Sequence, residues 1–169
     1  MARADRTALA LAAELLPSLS DGLTEMSSDR ICTALLAGLD IEAVAVNGPD
    51  RIIASWGEGM EHHPAGGPYR TSVVGRAIAA RGPAVARTLR QVGCAVVGCP
   101  LTSGIAAPII VGGEVVGVLS GWRTQRRPLS RPTIQAIVGL AGLFAARLED
   151  LPRSAVEPMA DAATSAVRT

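Results

Sequence analysis

The run IAAPIIV-GG-EVVGVLSGW, residues 105–122, decides the fold class of this chain. Two apolar segments rich in β-branched residues flank Gly112-Gly113, and a Gly-Gly pair between two such segments is typical of a tight β-hairpin. Two shorter runs of the same kind, 41–46 and 51–56, lie on either side of the turn sequence Asn47-Gly48-Pro49-Asp50. The sequence therefore predicts antiparallel strands joined by hairpins.

Helical patterns surround these strands. Leucines repeat at helical spacing from Thr7 to Leu23, with Pro17 predicting a kink. Ser28 or Asp29 is the predicted N-cap of a second helix, because a short polar side chain there precedes an apolar stripe. The other predicted elements are a helix over 71–81, a short strand over 84–89, an irregular segment over 90–103 and a last helix behind the N-cap Ser130.

The order of these elements predicts an α+β fold, a central antiparallel sheet of five to six strands flanked by helices. We expect residues 1–23 to form an N-terminal signalling or dimerisation helix and residues 24–150 to form the domain. Residues 151–169 lack apolar periodicity, which predicts a disordered tail. The terminal helices carry more apolar surface than one sheet face covers, and this favours a homodimer.

Composition narrows the range of partners. The 169 residues are 49% hydrophobic, enough for the core of one domain, and 16 Lys and Arg nearly balance 15 Asp and Glu. With no basic field and only 2% aromatic residues, the chain is not expected to bind nucleic acid. No apolar run approaches the roughly 20 residues that span a bilayer, and the apolar stretch 9–16 lacks a cleavage site. We therefore expect a cytoplasmic protein without membrane insertion.

The sharpest chemical pattern is Cys94-x4-Cys99 together with the pair His62-His63. Thiolate sulfur and imidazole nitrogen suit Zn²⁺ or an iron-sulfur cluster, and two of each complete a tetrahedral shell. Adjacent histidines on an extended loop point to opposite sides, so a shared ion requires a bent backbone. The third cysteine, Cys32, lies on a helical apolar stripe and is predicted to be a buried small hydrophobe.

Two other interpretations of these four residues stay open at this stage. In one, His62 stabilises its loop while Cys94 and Cys99 pack beneath it as small hydrophobes. In the other, the two cysteines form a redox pair whose disulfide ties down the loop and alters the signalling helices. The sequence alone does not choose between metal, packing and redox chemistry.

Four segments resemble the cytoplasmic GAF domain of LytS-type bacterial sensor histidine kinases. They are 17–22, the loop 57–68 with its histidine pair, the run 93–101 with its two cysteines, and 106–117. The resemblance covers roughly Leu9 to Leu148 and implies a GAF fold, related to PAS. It also implies a sensory module that relays a signal through terminal helices to a partner or kinase of a two-component system. Phosphoacceptor and ATP-binding motifs are absent from the sequence, so no catalytic residue and no kinase activity is inferred.

The resemblance also implies a ligand cavity between the sheet and the irregular connection. We expect Trp56, Tyr69 and Val73 to line this cavity and the hydroxyls of Thr102 and Ser103 to supply its polar groups. Such a mixture of apolar walls and a few polar groups suits a small organic ligand. The alternative is that these aromatic side chains fill space in an aliphatic core. No motif identifies a cyclic nucleotide, haem or bilin.

Two further functions compete with that of a sensor. Free methionine sulfoxide reductases also use a GAF fold, and Cys99 as nucleophile with Cys94 as resolving thiol would imitate their chemistry. The residues between them, Ala95 to Gly98, are not the acidic ones of that family's substrate site, so we expect no enzyme. The other function is a purely structural dimerisation domain. The basic run Arg123, Arg126 and Arg127 is predicted to be a solvated loop.

Overall fold

The computed structural model describes residues 7–69 and 71–159, and within them the predicted order of elements is present. One short helix lies inside the segment expected to be irregular. The elements are α1 (Ala8–Leu15), a 3-10 turn (Leu16–Leu19), α2 (Glu25–Gly38), β1 (Ala43–Asn47), β2 (Ile52–Gly57), α3 (Ser72–Ala80), β3 (Ala84–Ala86), α4 (Leu89–Val92), β4 (Ser103–Val111), β5 (Glu114–Arg123), α5 (Arg131–Glu149) and a second 3-10 turn (Arg153–Ala155).

The five strands form one antiparallel sheet in the order β2-β1-β5-β4-β3. The decisive hairpin is confirmed, because Val111 pairs with Glu114 across a two-residue turn. Gly112 and Gly113 have φ angles of 58° and 82°, the left-handed values that such a turn requires at both positions. The predicted α+β fold with an antiparallel sheet is therefore confirmed.

Each face of the sheet covers its own apolar core. Side chains alternate along β1, so Val44 and Val46 face the core beneath α1, α2 and α5, whereas Ala43 and Ala45 face α3 and the connecting loops. The first core is centred on fully buried leucines and on Phe144 from α5. In the second core, small strand residues such as Ala43 and Ala45 pack against the loops, and Cys94 and Cys99 lie on that side of the sheet.

Short polar residues cap both α2 and α5, but only the cap of α5 lies at its predicted position. Ser130 caps α5 as predicted, accepting a hydrogen bond from the backbone N–H of Thr133. The prediction of Ser28 or Asp29 as the cap of α2 is wrong, because Thr24 caps that helix in a reciprocal arrangement with Ser27. The helix therefore begins one turn earlier, and Ser28 is a fully buried position within it.

Side chains from both ends of the described chain pack on the domain. Leu11 and Leu15 of α1 are almost completely buried against α2 and α5, so the first helix is part of the domain core. Leu151, Val156 and Met159 of the last described segment pack against the two cores, and the N–H of Met159 donates to the carbonyl of Val115 at 2.6 Å. A few unevenly spaced apolar side chains suffice for this packing, and such spacing leaves no periodic signal. Residues 1–6 and 160–169 lie outside the described residues.

The prediction that the arginines at 123, 126 and 127 form a solvated loop is wrong for Arg123, which is buried. Arg123, at the end of β5, is only 1% exposed, and its guanidinium is bound by the carboxylates of Asp40 and Glu42. Arg126 and Arg127 are exposed, and Arg127 adds a second ion pair to Asp40 at 3.2 Å. Across residues 7–69 and 71–159, no helix combines the length and apolar character that a membrane crossing needs.

Candidate metal centre

The histidine pair lies on the loop between β2 and α3, which bends back against the outer edge of β2. The N–H of Gly66 donates a hydrogen bond to the carbonyl of Ile52 at 2.7 Å, and the N–H of Ile52 donates to the carbonyl of Gly67 at 2.8 Å. These two bonds fix the far side of the loop. The hydroxyl of Ser55 donates to the carbonyl of His63 at 2.6 Å, and the backbone N–H of His63 donates to the carbonyl of Met60 at 2.9 Å. These contacts supply the bent backbone that adjacent histidines need in order to share a ligand.

The cysteines lie on the segment between α4 and β4. Glycine at position 93 ends α4 with a φ of 60°, and a Cβ there would stand 2.0 Å from the hydroxyl of Ser72, so a larger residue would clash. The N–H of Ser72 donates to the carbonyl of Gly93 at 3.0 Å, and Cys94 pairs with Thr71 in an isolated bridge. The start of α3 therefore holds the first cysteine beside the end of the histidine loop.

The structure brings all four predicted ligands together. The Sγ atom of Cys94 lies 3.6 Å from the Nε2 atoms of both His62 and His63, and the Sγ of Cys99 lies 3.9 Å from Nε2 of His63. One donor atom from each residue lies within 4.8 Å of the other three. The two imidazole rings are 4.0 Å apart, tilted by 46°, and turn to the same side of the loop.

Burial divides the cluster into an inner and an outer half. His63 is 3% and Cys99 7% exposed, while His62 and Cys94 are half-buried. Burial raises the pKa of the Cys99 thiol to about 11, with Cys94 adding to the rise and a backbone hydrogen bond at Leu101 opposing it. Because a thiol with such a pKa is protonated at neutral pH, a nearby cation is what would make it a thiolate.

Cys32 lies in the other core, as its helical position predicted. It is fully buried on α2, and burial raises its pKa to about 12. It therefore serves as an internal control for the reactivity of the other two cysteines.

The five residues predicted to line a ligand cavity lie at different places around the sheet. A cavity of about 10 Å³ lies between the sheet and the histidine loop, and of the five only Tyr69 lines it. Val73 is fully buried in the core of α3. Trp56 is 50% exposed and donates its indole N–H to Asp29 of α2, on the opposite face of the sheet. Organic ligand binding by this set stays a prediction.

The two polar residues of that set hold the chain together around β4. The hydroxyl of Thr102 contacts the carbonyls of Arg123 and Gln125, the latter at 2.6 Å. The hydroxyl of Ser103 donates to the carbonyl of Arg127 at 3.1 Å. Both side chains therefore secure the segment between β5 and α5.

Sequence reasoning missed the polar side chains that surround the cavity beside His63. Asn47 and Ser120 are buried on neighbouring strands and donate to strand carbonyls, at 3.4 and 3.2 Å respectively. The sequence signal that could have identified Asn47 and Ser120 is a polar residue at an inward-facing position of an otherwise apolar strand. Ser55, which holds the carbonyl of His63, carried no distinguishing pattern in the sequence.

Comparisons with known proteins agree with this fold. No known family profile matches the sequence. The chain is 32% identical over 141 residues to the sensor protein LytS of Staphylococcus epidermidis, a match covering 83% of this chain and 24% of that protein. It thus spans about a quarter of the length of that relative.

Solved structures of low sequence identity share the fold. The GAF domain of a phosphoenolpyruvate-protein phosphotransferase from Coxiella burnetii superposes with a TM-score of 0.68 at 15% identity, covering 84% of this chain and 92% of that one. The reduced form of fRMsr, a free methionine-R-sulfoxide reductase, from Staphylococcus aureus superposes with a TM-score of 0.68 at 18% identity, covering 88% and 99%. At these identities the likeness concerns the fold alone.

Proposed function

Because the chain is a GAF domain that resembles the cytoplasmic region of LytS sensor proteins, we propose that it is a cytoplasmic sensory module of bacterial signal transduction. Its sensing centre is a single divalent metal ion, zinc foremost, bound by His62, His63, Cys94 and Cys99. The observation that carries the proposal is the convergence of these four donor atoms within 4.8 Å of one another.

The spacing of the donors fits one tetrahedral ion. Zinc bonds of about 2.3 Å to sulfur and about 2.0–2.1 Å to nitrogen give tetrahedron edges of about 3.6 Å between sulfur and nitrogen. The distances from Cys94 to His62 and His63 are both 3.6 Å, and the distance from Cys99 to His63 is 3.9 Å. Only small side-chain rotations are therefore needed to complete the coordination shell.

The same distances disfavour an iron-sulfur cluster. A two-iron centre with two histidines and two cysteines keeps the histidines on one iron and the cysteines on the other, which separates the two kinds of ligand. Here imidazole nitrogen and cysteine sulfur are in direct contact, as ligands of one ion would be. A four-iron cluster needs four cysteines, and the sequence has three.

Packing alone accounts less well for the cluster. The chain has only two histidines and three cysteines, and two separate loops bring both histidines and two of the cysteines to one point. An aliphatic core filled by apolar side chains would avoid the cost of burying an imidazole such as His63. Metal coordination offsets that cost and also accounts for the convergence of the four side chains.

The site is linked to the terminal helices through β4. Pro100 follows Cys99 and packs on Gly59, where an added Cβ would stand 2.3 Å from the proline ring. Leu101 is fully buried immediately before β4, and β4 packs against α5. We propose that metal occupancy shifts this connection and that α1 and α5 pass the change to a partner copy or to a kinase. Leu9 and Leu143, exposed on these helices, would lie in the homodimer interface.

A reductase function is the weaker alternative despite the shared fold. A nucleophilic cysteine must be a thiolate, whereas burial raises the pKa of Cys99 to about 11. The cavity of about 10 Å³ beside His63 holds about one water molecule and leaves no room for a sulfoxide substrate. We therefore do not propose an enzymatic activity.

The test is metal analysis of the purified chain. We expect close to one zinc per chain and a colourless protein, and cobalt substitution should give the visible bands of a tetrahedral thiolate site. Cys94→Ser and His63→Ala should each lower the metal content, while Cys32→Ala, the matched control, should retain it. Metal-free protein that stays equally stable in chelator, or metal retained in both variants, refutes the proposal. Methionine sulfoxide turnover lost on Cys99→Ser would favour the enzyme instead.

A further inference from the structure

We propose that Cys94 and Cys99 form a reversible disulfide under hydroperoxide, and that this reaction expels the bound metal ion. The inference rests on the proposed function, because it assigns a regulation to the same four-residue site. It makes the centre responsive to oxidants as well as to metal availability.

The two thiols are close enough to react after a modest movement. Their Sγ atoms lie within 4.8 Å, and a disulfide requires about 2.05 Å. The intervening turn presents Val97 to solvent at 100% exposure, and an added Cβ on Gly98 would meet nothing within 4 Å. The turn can therefore tighten without disturbing either core.

The two cysteines differ in a way that assigns their roles. Cys94 is half-buried, so an oxidant from solvent can reach its sulfur, which also accepts a hydrogen bond from the N–H of Val96 at 3.4 Å. Cys99 is 7% exposed and hidden beneath the turn. Cys94 is therefore the thiol that meets the hydroperoxide, and Cys99 is the resolving thiol.

The reaction balances with hydrogen peroxide as the oxidant. The Cys94 thiolate attacks one peroxide oxygen, so that the S–O bond forms, the O–O bond breaks and the leaving hydroxide takes a proton to become water. Cys99, which has lost its proton on binding the metal ion, then attacks the sulfur of Cys94 as a thiolate, so that the S–S bond forms and the S–O bond breaks; the second hydroxide takes a proton from solvent to become water. The two sulfurs lose two electrons in total, and the peroxide gains them.

Metal release follows from the loss of two ligands. A disulfide sulfur carries no negative charge and is a poor ligand for zinc, so only the imidazoles of His62 and His63 remain. Tightening of the turn also pulls on Pro100, which packs against Gly59 of the histidine loop. Oxidation therefore removes the ion and displaces both loops of the site together.

The experiment uses the zinc-loaded full chain and hydrogen peroxide as the probe. We expect reactive thiols in denaturant to fall from three to one per chain, with stoichiometric zinc release to a coloured chelator. The intact mass should fall by two hydrogens, peptide mapping should join Cys94 to Cys99, and dithiothreitol should restore zinc binding. The control Cys32→Ala should release zinc equally, with its thiols falling from two to none, whereas Cys99→Ser should stop at a trappable sulfenic acid on Cys94.

The outcomes separate this inference from the proposed function. Zinc bound at one per chain and kept in peroxide, with all thiols intact, overturns the switch and leaves the metal site standing. Irreversible oxidation, or a disulfide between chains on a non-reducing gel, also overturns it. Disulfide formation in a protein that never binds metal refutes the proposed function and with it the coupling inferred here.

Discussion

Zinc should stabilise the folded chain with a concentration dependence set by one ion. The four donors lie within 4.8 Å of one another, which leaves room for one ion and for no second one. For one ion bound only by the folded state, each tenfold rise in free zinc above the dissociation constant adds about 1.4 kcal/mol to the free energy of unfolding. In a domain of this size that corresponds to about 3–6 °C in Tm for each tenfold rise.

Urea denaturation in zinc-chelator buffers measures this slope directly. The double variant Cys94→Ser with His63→Ala should lose the slope, because half of the ligands are gone. Cys32→Ala, which alters the opposite core, should be less stable at every zinc concentration yet keep the same slope. A flat dependence in the wild-type chain, a slope for two ions, or an unchanged slope in the double variant would each refute the assignment.

Two further predictions concern the scaffold that holds the site. Arg123→Met should cost about 3–5 kcal/mol in urea denaturation, because it leaves the carboxylate of Glu42, itself 17% exposed, without its buried partner. Arg127→Met, at a 56% exposed position, should cost less than about 1 kcal/mol, and equal losses would contradict this reasoning. Gly57→Ala should lower stability by at least about 2 kcal/mol, since φ is 110° and the new Cβ would stand 2.2 Å from the Glu42 carbonyl. Gly142→Ala, on an open face of α5, should be neutral or stabilising by up to about 1 kcal/mol in thermal denaturation, and a comparable loss there would count against the steric argument.

Local signals predicted the elements whose causes are themselves local. Gly112-Gly113 required left-handed backbone angles, and the turn has them. Ser130 preceded an apolar helical stripe and caps α5. Such features depend on a few consecutive residues, so the sequence contains the whole physical reason for them.

The misplaced helix cap has a local cause, whereas the burial of Arg123 and the packing of Met159 depend on residues distant in sequence. Thr24 caps α2 in place of the predicted residues because its hydroxyl and that of Ser27 satisfy each other's backbone N–H groups. Arg123 is buried because two carboxylates, more than 80 positions earlier in the chain, meet it at the end of β5. Met159 is held by a strand carbonyl at Val115. The partners of Arg123 and Met159 are not identifiable from their neighbours in sequence.

The sequence by itself determined the fold class, the hairpins and the four residues proposed as metal ligands, because residue type and periodicity suffice for those. The tertiary structure decided that His63 and Cys94, 31 positions apart, lie 3.6 Å from each other. Backbone bonds between the histidine loop and the edge of β2, with the close approach of Gly93 to Ser72, create that proximity. The structure also decided that Trp56 and Tyr69 lie on opposite faces of the sheet, because Trp56 contacts Asp29 of α2 while Tyr69 lines the cavity beside His63.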